Sequence, residues 1–273
     1  MTKKVVSVQD VSCYGQCSQT VALPVLSVLG VETAILPSAV LSTHTTSFEG
    51  YTVHDLTEEM PKIVAHWKKE NITFDAIYTG YISDVRQFDC ILDLRSQLNP
   101  GGMVIVDPAM ADHGELYPAL SDDIVEGMRR LVSVADVIIP NITEAALLTN
   151  TEYKSDFTQN EIEGILHKLA ALGPHYSVIT GVSYESGKLG AVCLDKESGE
   201  ITNYFSDYVD KVCYGTGDIF SSVVVGKLVN GSSVYDALKT ASEFVTSCIR
   251  ATIGDDEHHY GVHFESVLHE LLK

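Results

Sequence analysis

Apolar positions along the chain fall into two alternating patterns. Short apolar runs, Val5 to Gln9, Thr33 to Val40, Ala76 to Ile82, Met103 to Val106 and Ala135 to Ile139, have the length and branched character of buried strands. Between them apolar residues recur every three or four positions. That spacing predicts helices over Cys17 to Leu29, Thr57 to Glu70, Val85 to Leu98, Asp122 to Val134, Glu144 to Leu148 and Thr158 to Leu172. Thr57 is the expected N-cap of the second of these, with glutamates in its first turn. Farther on, Ser177 to Thr180, Gly190 to Asp195 and Ile201 to Phe205 read as strands, the last two joined by the polar turn Lys196 to Glu200. An apolar helical stretch from Ile219 to Val229 and two more helices, Val234 to Ile249 and Phe264 to Leu272, follow. Strands alternating with helices predict an α/β fold, a three-layer α/β/α sandwich whose mostly parallel central sheet has an antiparallel edge hairpin.

Composition narrows the classes that remain. The 273 residues show no repeat, low-complexity segment or linker, so a single domain over 1–273 is expected. Apolar residues make up 45% and charged ones 20%, the balance of a globular protein with a large core. The net charge of −19 excludes a nucleic-acid binder, which needs clustered Lys and Arg. It would also repel an anionic nucleotide unless a metal cation and local backbone donors offset the field. Six cysteines without a C-x-x-C pair predict reduced thiols, with Cys13 and Cys17 as buried structural ones. With no signal-peptide core and no spanning stretch, a cytoplasmic protein without membrane contact is expected.

Candidate chemistry concentrates at a turn and at strand ends. Cys213-Tyr214-Gly215-Thr216-Gly217-Asp218 lies between a strand-like run and an apolar helix. Its glycines let the backbone turn and approach a ligand, the helix N-terminus attracts an anion, and Asp218 places a carboxylate in the first turn. An anion cradle beside a base is what phosphoryl transfer to an alcohol requires. Asp10, Asp107 with Asp112, and Asn141 with Glu144 follow three strands, whose ends gather on the carboxyl edge of a parallel sheet. Hard oxygens there suit Mg²⁺. Turn chemistry accounts for any one of these acids; together with the Gly-Thr-Gly-Asp turn they point to a site. There is no P-loop, and Gly215-x-Gly217 lacks the third glycine of a dinucleotide fingerprint. His258, His259 and His263 read as a solvated C-terminal turn in preference to a metal site. Leu41 to Tyr51 is the expected loop covering the substrate.

The chain resembles the pyridoxal/pyridoxamine kinases, vitamin B6 salvage enzymes of the ribokinase-like superfamily, over nearly its whole length. The resemblance rests on Ser7-Val8-Gln9, Ser42-Thr43-His44-Thr45, Thr79-Gly80-Tyr81, Asp107-Pro108-Ala109-Met110-Ala111-Asp112, Pro140-Asn141-Ile142-Thr143-Glu144 and Gly215-Thr216-Gly217-Asp218. It implies Asp218 as the base that takes the proton of the 5′-hydroxymethyl group, and Gly215, Thr216 and Gly217 as the anion hole. Asp107 and Glu144 would position Mg²⁺, directly or through water. Asp107, Asp112, Asn141, Glu144 and Thr180 would serve ATP, while Asp10, His44, Thr45 and Tyr81 would line the vitamer pocket. A homodimer is implied, with K⁺ as a candidate second cation. Two departures stand out: Asp10 where many members have Ser, and Ile139 where many have Thr. An acid at position 10 could favour a protonated ring nitrogen or an amine. The rival readings are a hydroxymethylpyrimidine kinase, whose branch often carries Cys at the place of Asp218, a sugar kinase, and a non-catalytic B6-binding protein. The helix N-terminus is expected to keep Asp218 ionised.

Overall fold

The computed structural model describes residues 2–45, 47–255 and 257–272. Met1, Thr46, Asp256 and Lys273 fall outside it, so the expected cover loop is seen without Thr46 and the expected 1–273 domain without its end residues.

In chain order the first half runs β1 (Lys4–Ser12), α1 (Gln19–Val28), β2 (Glu32–Leu41), β3 (Val53–Asp55), α2 (Met60–Lys69), β4 (Ala76–Thr79), α3 (Arg86–Leu98) and β5 (Met103–Val106). A small hairpin of β6 (Ala111–Asp112) and β7 (Glu115–Leu116) follows, then α4 (Asp123–Val132), β8 (Val137–Ile138), α5 (Ile142–Leu148) and α6 (Gln159–Leu172). The last third holds β9 (Tyr176–Val182), β10 (Lys188–Asp195), β11 (Ile201–Asp207), α7 (Thr216–Val229), α8 (Val234–Ala251), α9 (Phe264–Val267) and a 3₁₀ turn, Leu268–Leu272. The main sheet has the order β11-β10-β9-β8-β5-β4-β1-β2-β3. Its centre, from β9 through β2, is parallel; β10 and β11 form the antiparallel hairpin at one edge and β3 runs antiparallel at the other.

Alternation along each strand divides the core between two faces. Val6, Val8, Ile77, Val104, Val106 and Ile138 pack against α2, α3, α4 and α6 through residues such as Met60, Phe88, Ile91, Met128 and Leu166. Val5, Ala76, Tyr78, Ile105, Val137 and Val178 point the other way, onto α1, α7 and α8 through Val21, Val25, Val224 and Phe244. The result is the three-layer sandwich expected from the sequence. Helix α7 is apolar around most of its circumference because it is enclosed by α1, α8 and the sheet.

Several local expectations change. Thr57 does not cap α2; Glu59 stands at the N-cap position and makes no side-chain cap hydrogen bond, while the Thr57 hydroxyl accepts from Gln87 Nε2 at 2.9 Å. Strand β4 stops at Thr79, and Gly80 then passes so close to Gln9 that a Cβ would lie 2.7 Å from its Oε1. Asp10 lies within β1, at a register shift against β2 between Gln9 and Val11. Cys13 is exposed and Cys17 half-buried, both in the loop before α1. Strand β3, three exposed residues, has no apolar signature. Among the described residues, no helix is long and apolar enough to cross a membrane.

Candidate active site

The parallel strands deliver their ends to one edge. Gly80 N–H bonds the Val8 carbonyl, Asp107 N–H that of Thr79 and Ile139 N–H that of Val106, each at 2.9–3.0 Å, so the segments after β4, β5 and β8 leave side by side. Helix α7 meets this edge through Gly215, its N-cap, at φ 74°. Two constraints demand glycine there. The left-handed backbone disfavours a side chain, and a Cβ would overlap the Gln16 carbonyl oxygen. At Gly217, by contrast, a Cβ would meet nothing within 4 Å. The turn is thus held from behind and open in front, beside N–H groups that no earlier helical turn can satisfy.

Four carboxyl groups converge on this opening. Asp107, buried, accepts from Ser221 Oγ of α7 at 2.6 Å, and burial pushes its carboxyl up to about 6. Glu144 is buried too, and burial followed by the Asp107 charge drives it well above the usual carboxylate range. Asp218, half-buried, is pushed up to about 7 by burial and then by Asp107; a hydrogen bond from the Ser18 backbone opposes this. The expectation that the helix N-terminus keeps Asp218 fully ionised therefore fails: desolvation and a like charge outweigh the dipole. Asp10 is raised by burial against hydrogen bonds from Ser18 and Ser12, the latter at 2.9 Å. The charges that raise Glu144 and Asp218 are those of other carboxylates, Asp107 on both and Asp10 on Asp218. Such a set fits a hard divalent cation, which would lower all of these pKa values together.

Within the set, the two expected metal residues differ. Both Glu144 oxygens already accept backbone N–H groups: Oε2 from Asn141 at 2.8 Å, Oε1 from Met110 at 3.1 Å. With Asn141 Oδ1 accepting from Glu144 N–H at 2.9 Å, this is a capping box that starts α5. Asn141 Nδ2 also donates to the Ala111 carbonyl at 2.8 Å, which pins the Asp107–Asp112 segment to α5. Asp107 has one oxygen engaged by Ser221 and is the freer ligand. Thr180 joins the edge through an isolated bridge to Asn141, its N–H on the Pro140 carbonyl at 2.9 Å. Asp112 is exposed on β6, its Oδ1 taking the His113 N–H at 2.8 Å.

The vitamer side of the predicted site is assembled less tightly. Tyr81 is half-buried and its phenol is pushed up to about 12, by burial and then by Asp10, Tyr51 and Asp55. The loop between β2 and β3 folds over the edge, with His44 buried between Phe48 and Tyr214 at ring distances of 5.1 and 5.9 Å. His44 N–H bonds the Tyr14 carbonyl at 3.3 Å, which joins this loop to the segment before α1. Thr45 is exposed at its tip.

Four further residues belong to the site. Ser18, at φ 48°, links Asp10 through its hydroxyl to Asp218 through its backbone. Gln16 backs Gly215. Ser221 holds Asp107 from one turn past Asp218, a helical spacing that a closer reading of Gly215 to Ser222 shows. The Tyr117 phenol is raised by burial and then by Glu144, Asp218, Asp112 and Asp107, which puts it amid the acids. Nothing local in the sequence marks Ser18, Gln16 or Tyr117. The His258 region also differs from expectation: His258 is buried, its Nε2 2.8 Å from Gln16 Oε1.

The model of the phosphomethylpyrimidine kinase family matches residues 23–263. A Bacteroides thetaiotaomicron protein, provisionally named a phosphomethylpyrimidine kinase and crystallised with pyridoxal, superposes at TM-score 0.94; it is 38% identical, covering 99% of this chain and 96% of its own. Pyridoxal kinase from Lactobacillus plantarum superposes at TM-score 0.92 with 32% identity, covering 100% and 97% of the two chains. Pyridoxal kinase from Arabidopsis thaliana is 28% identical over 263 residues, 92% of this chain and 82% of its own.

Proposed function

The chain belongs to the phosphomethylpyrimidine kinase family, and from that premise we propose that it transfers the γ-phosphoryl group of ATP to the 5′-hydroxymethyl group of pyridoxal, pyridoxamine or pyridoxine. The observation that carries this reading is Asp218 in the first turn of α7, beside Asp107 and above an open glycine turn.

In this mechanism Asp218 accepts the hydroxyl proton as the oxygen attacks. The N–H groups of residues 215–217 stabilise charge on the transferred phosphoryl, a positioning and electrostatic contribution with no covalent intermediate. Bound Mg²⁺ supplies charge neutralisation of the ATP phosphates; Asp107 would hold it directly and Glu144 through water, since the Glu144 oxygens are engaged by backbone. Asp112, Asn141 and Thr180 face the nucleotide side. Asp10, His44, Thr45 and Tyr81 line the vitamer side, and the loop over His44 and Phe48 excludes water. The buried Asp10 carboxyl favours a substrate that brings positive charge. Residues 1–273 act as one kinase unit in a homodimer, in the cytoplasm, where six free thiols are at home. K⁺ is a candidate second cation.

The family name keeps hydroxymethylpyrimidine as the second substrate reading; the carboxylate at position 218, where that branch often has Cys, favours the first. Kinase assays with ATP and Mg²⁺ over the three vitamers, hydroxymethylpyrimidine and ribose decide it. A B6 vitamer is expected to give the highest kcat/KM. Preference for hydroxymethylpyrimidine, or vitamer binding without ATP turnover, overturns the proposal.

A further inference from the structure

We propose that Asp255, His258 and His263 form a second metal site, distinct from the acidic cluster, that takes one late first-row divalent cation of the Zn²⁺ type. A ring nitrogen of each histidine and a carboxylate oxygen of Asp255 lie within 4.8 Å of one another. His263 Nε2 stands 2.9 Å from Asp255 Oδ2, and the two imidazoles pack with ring centres 3.9 Å apart. Three donors thus lie close enough together to share one ion.

Hydrogen bonds tie the three residues to the end of α8 and to one another. The Thr252 hydroxyl, fixed on the Cys248 carbonyl of α8 at 2.8 Å, accepts the His263 N–H at 2.9 Å. Asp255 N–H returns to the Thr252 carbonyl, and Asp255 Oδ1 accepts the His258 N–H at 3.2 Å. His258 is buried, while Asp255 and His263 keep 44% and 33% of their side chains exposed, so the site is anchored and still reachable from solvent. Outside the donors, Gln16 contacts His258 Nε2 at 2.8 Å and donates to Glu265 at 2.7 Å, the kind of outer partner that orients a ligating imidazole.

Donor type sets the cation. Two imidazoles and one carboxylate suit Zn²⁺, Co²⁺ or Fe²⁺, with the remaining positions left to solvent; Mg²⁺ prefers oxygen donors. The same residues can also serve only as a hydrogen-bonded brace for the turn, and the two roles predict different binding.

Co²⁺ titration of the full chain in millimolar Mg²⁺, which occupies oxygen-donor sites, separates them. One equivalent is expected to bind with visible d–d absorption, without the near-ultraviolet thiolate band that binding at cysteine would give, and to be displaced by Zn²⁺. His263→Ala and Asp255→Asn are each expected to weaken uptake by at least about tenfold. His258 is buried, so its Ala variant is read only if circular dichroism matches the parent; the half-buried His263 carries the test otherwise. No stoichiometric uptake, or uptake unchanged in His263→Ala, overturns the site and leaves the brace.

Discussion

Replacing Asp218 by Asn is expected to remove turnover and, at alkaline pH, to stabilise the protein. The carboxyl stands at about 7 in the folded chain against a reference of 3.8. At about 1.36 kcal/mol per pH unit, the ionised form bears a cost of ~4 kcal/mol. Part of that belongs to the neighbouring Asp107 charge and part is screened by solvent at this half-buried position, which leaves about 2 kcal/mol for the substitution to release. Asn keeps an oxygen for the Ser18 N–H and nearly the same volume. The sign follows from linkage. Below 3.8 both folded and unfolded chains hold the proton and Asp218 contributes nothing. As pH rises from 3.8 through about 7 the unfolded chain has already ionised, so the folded state loses stability, and above 7 the loss is complete. The melting temperature of Asp218→Asn without ligands should therefore exceed that of the parent by roughly 4 °C at pH 8, with about half the advantage left at pH 5.5. Turnover should fall by about 10²–10⁴-fold, the usual worth of a general base. A melting temperature unchanged or lower at pH 8 refutes the account of the strained carboxyl. Parental turnover refutes the assigned base.

The two glycines of the turn should respond differently to Ala. Gly215→Ala puts a Cβ against the Gln16 carbonyl in a left-handed backbone, so thermal or urea unfolding should show a loss of at least about 1–3 kcal/mol along with activity. Gly217→Ala enters open space in a helix and should unfold like the parent while turnover drops; equal stability losses in the two variants would contradict the picture of a turn held from behind and open in front. Asp10→Ser should lower kcat/KM for pyridoxamine relative to pyridoxine by about tenfold, the worth of one charged hydrogen bond. A ratio that does not move would show that Asp10 does not meet the amine.

What could be read from the residues tracks how local the signal is. The sandwich was legible because Val6, Val8, Ile77, Val104 and Ile138 lie in short apolar runs between helical stretches. Gly215 to Asp218, Asp107 and Asn141 were legible because turn chemistry sits at strand ends. Glu144 was read as positioning Mg²⁺, directly or through water; Asn141-Ile142-Thr143-Glu144 also has the spacing of a capping box, and the structure engages Oε2 there and Oε1 on the Met110 N–H. Ser18 and Gln16 carry no motif; they reach Asp218, His258 and Glu265, which lie 200, 242 and 249 positions farther along the chain. The ionisation of Asp218 was misjudged because a helix end is visible in sequence, whereas burial and the approach of Asp107 are properties of the assembled edge.

Gln16, seated between Gly215 and the turn that carries His258, also bears on when the enzyme can be completed during synthesis. Its side-chain partners His258 and Glu265 are 242 and 249 positions downstream. The ribosome has made Gly215 to Asp218 well before it makes either partner. A nascent chain can already pair its central strands and lay α7 along them, yet the Gln16 side chain behind the glycine turn finds its partners only when residues 258–265 emerge. Full support of the turn is thereby deferred until residues 258–265 are made, and a chain stalled before His258 holds Gly215 against a Gln16 whose side-chain partners do not yet exist.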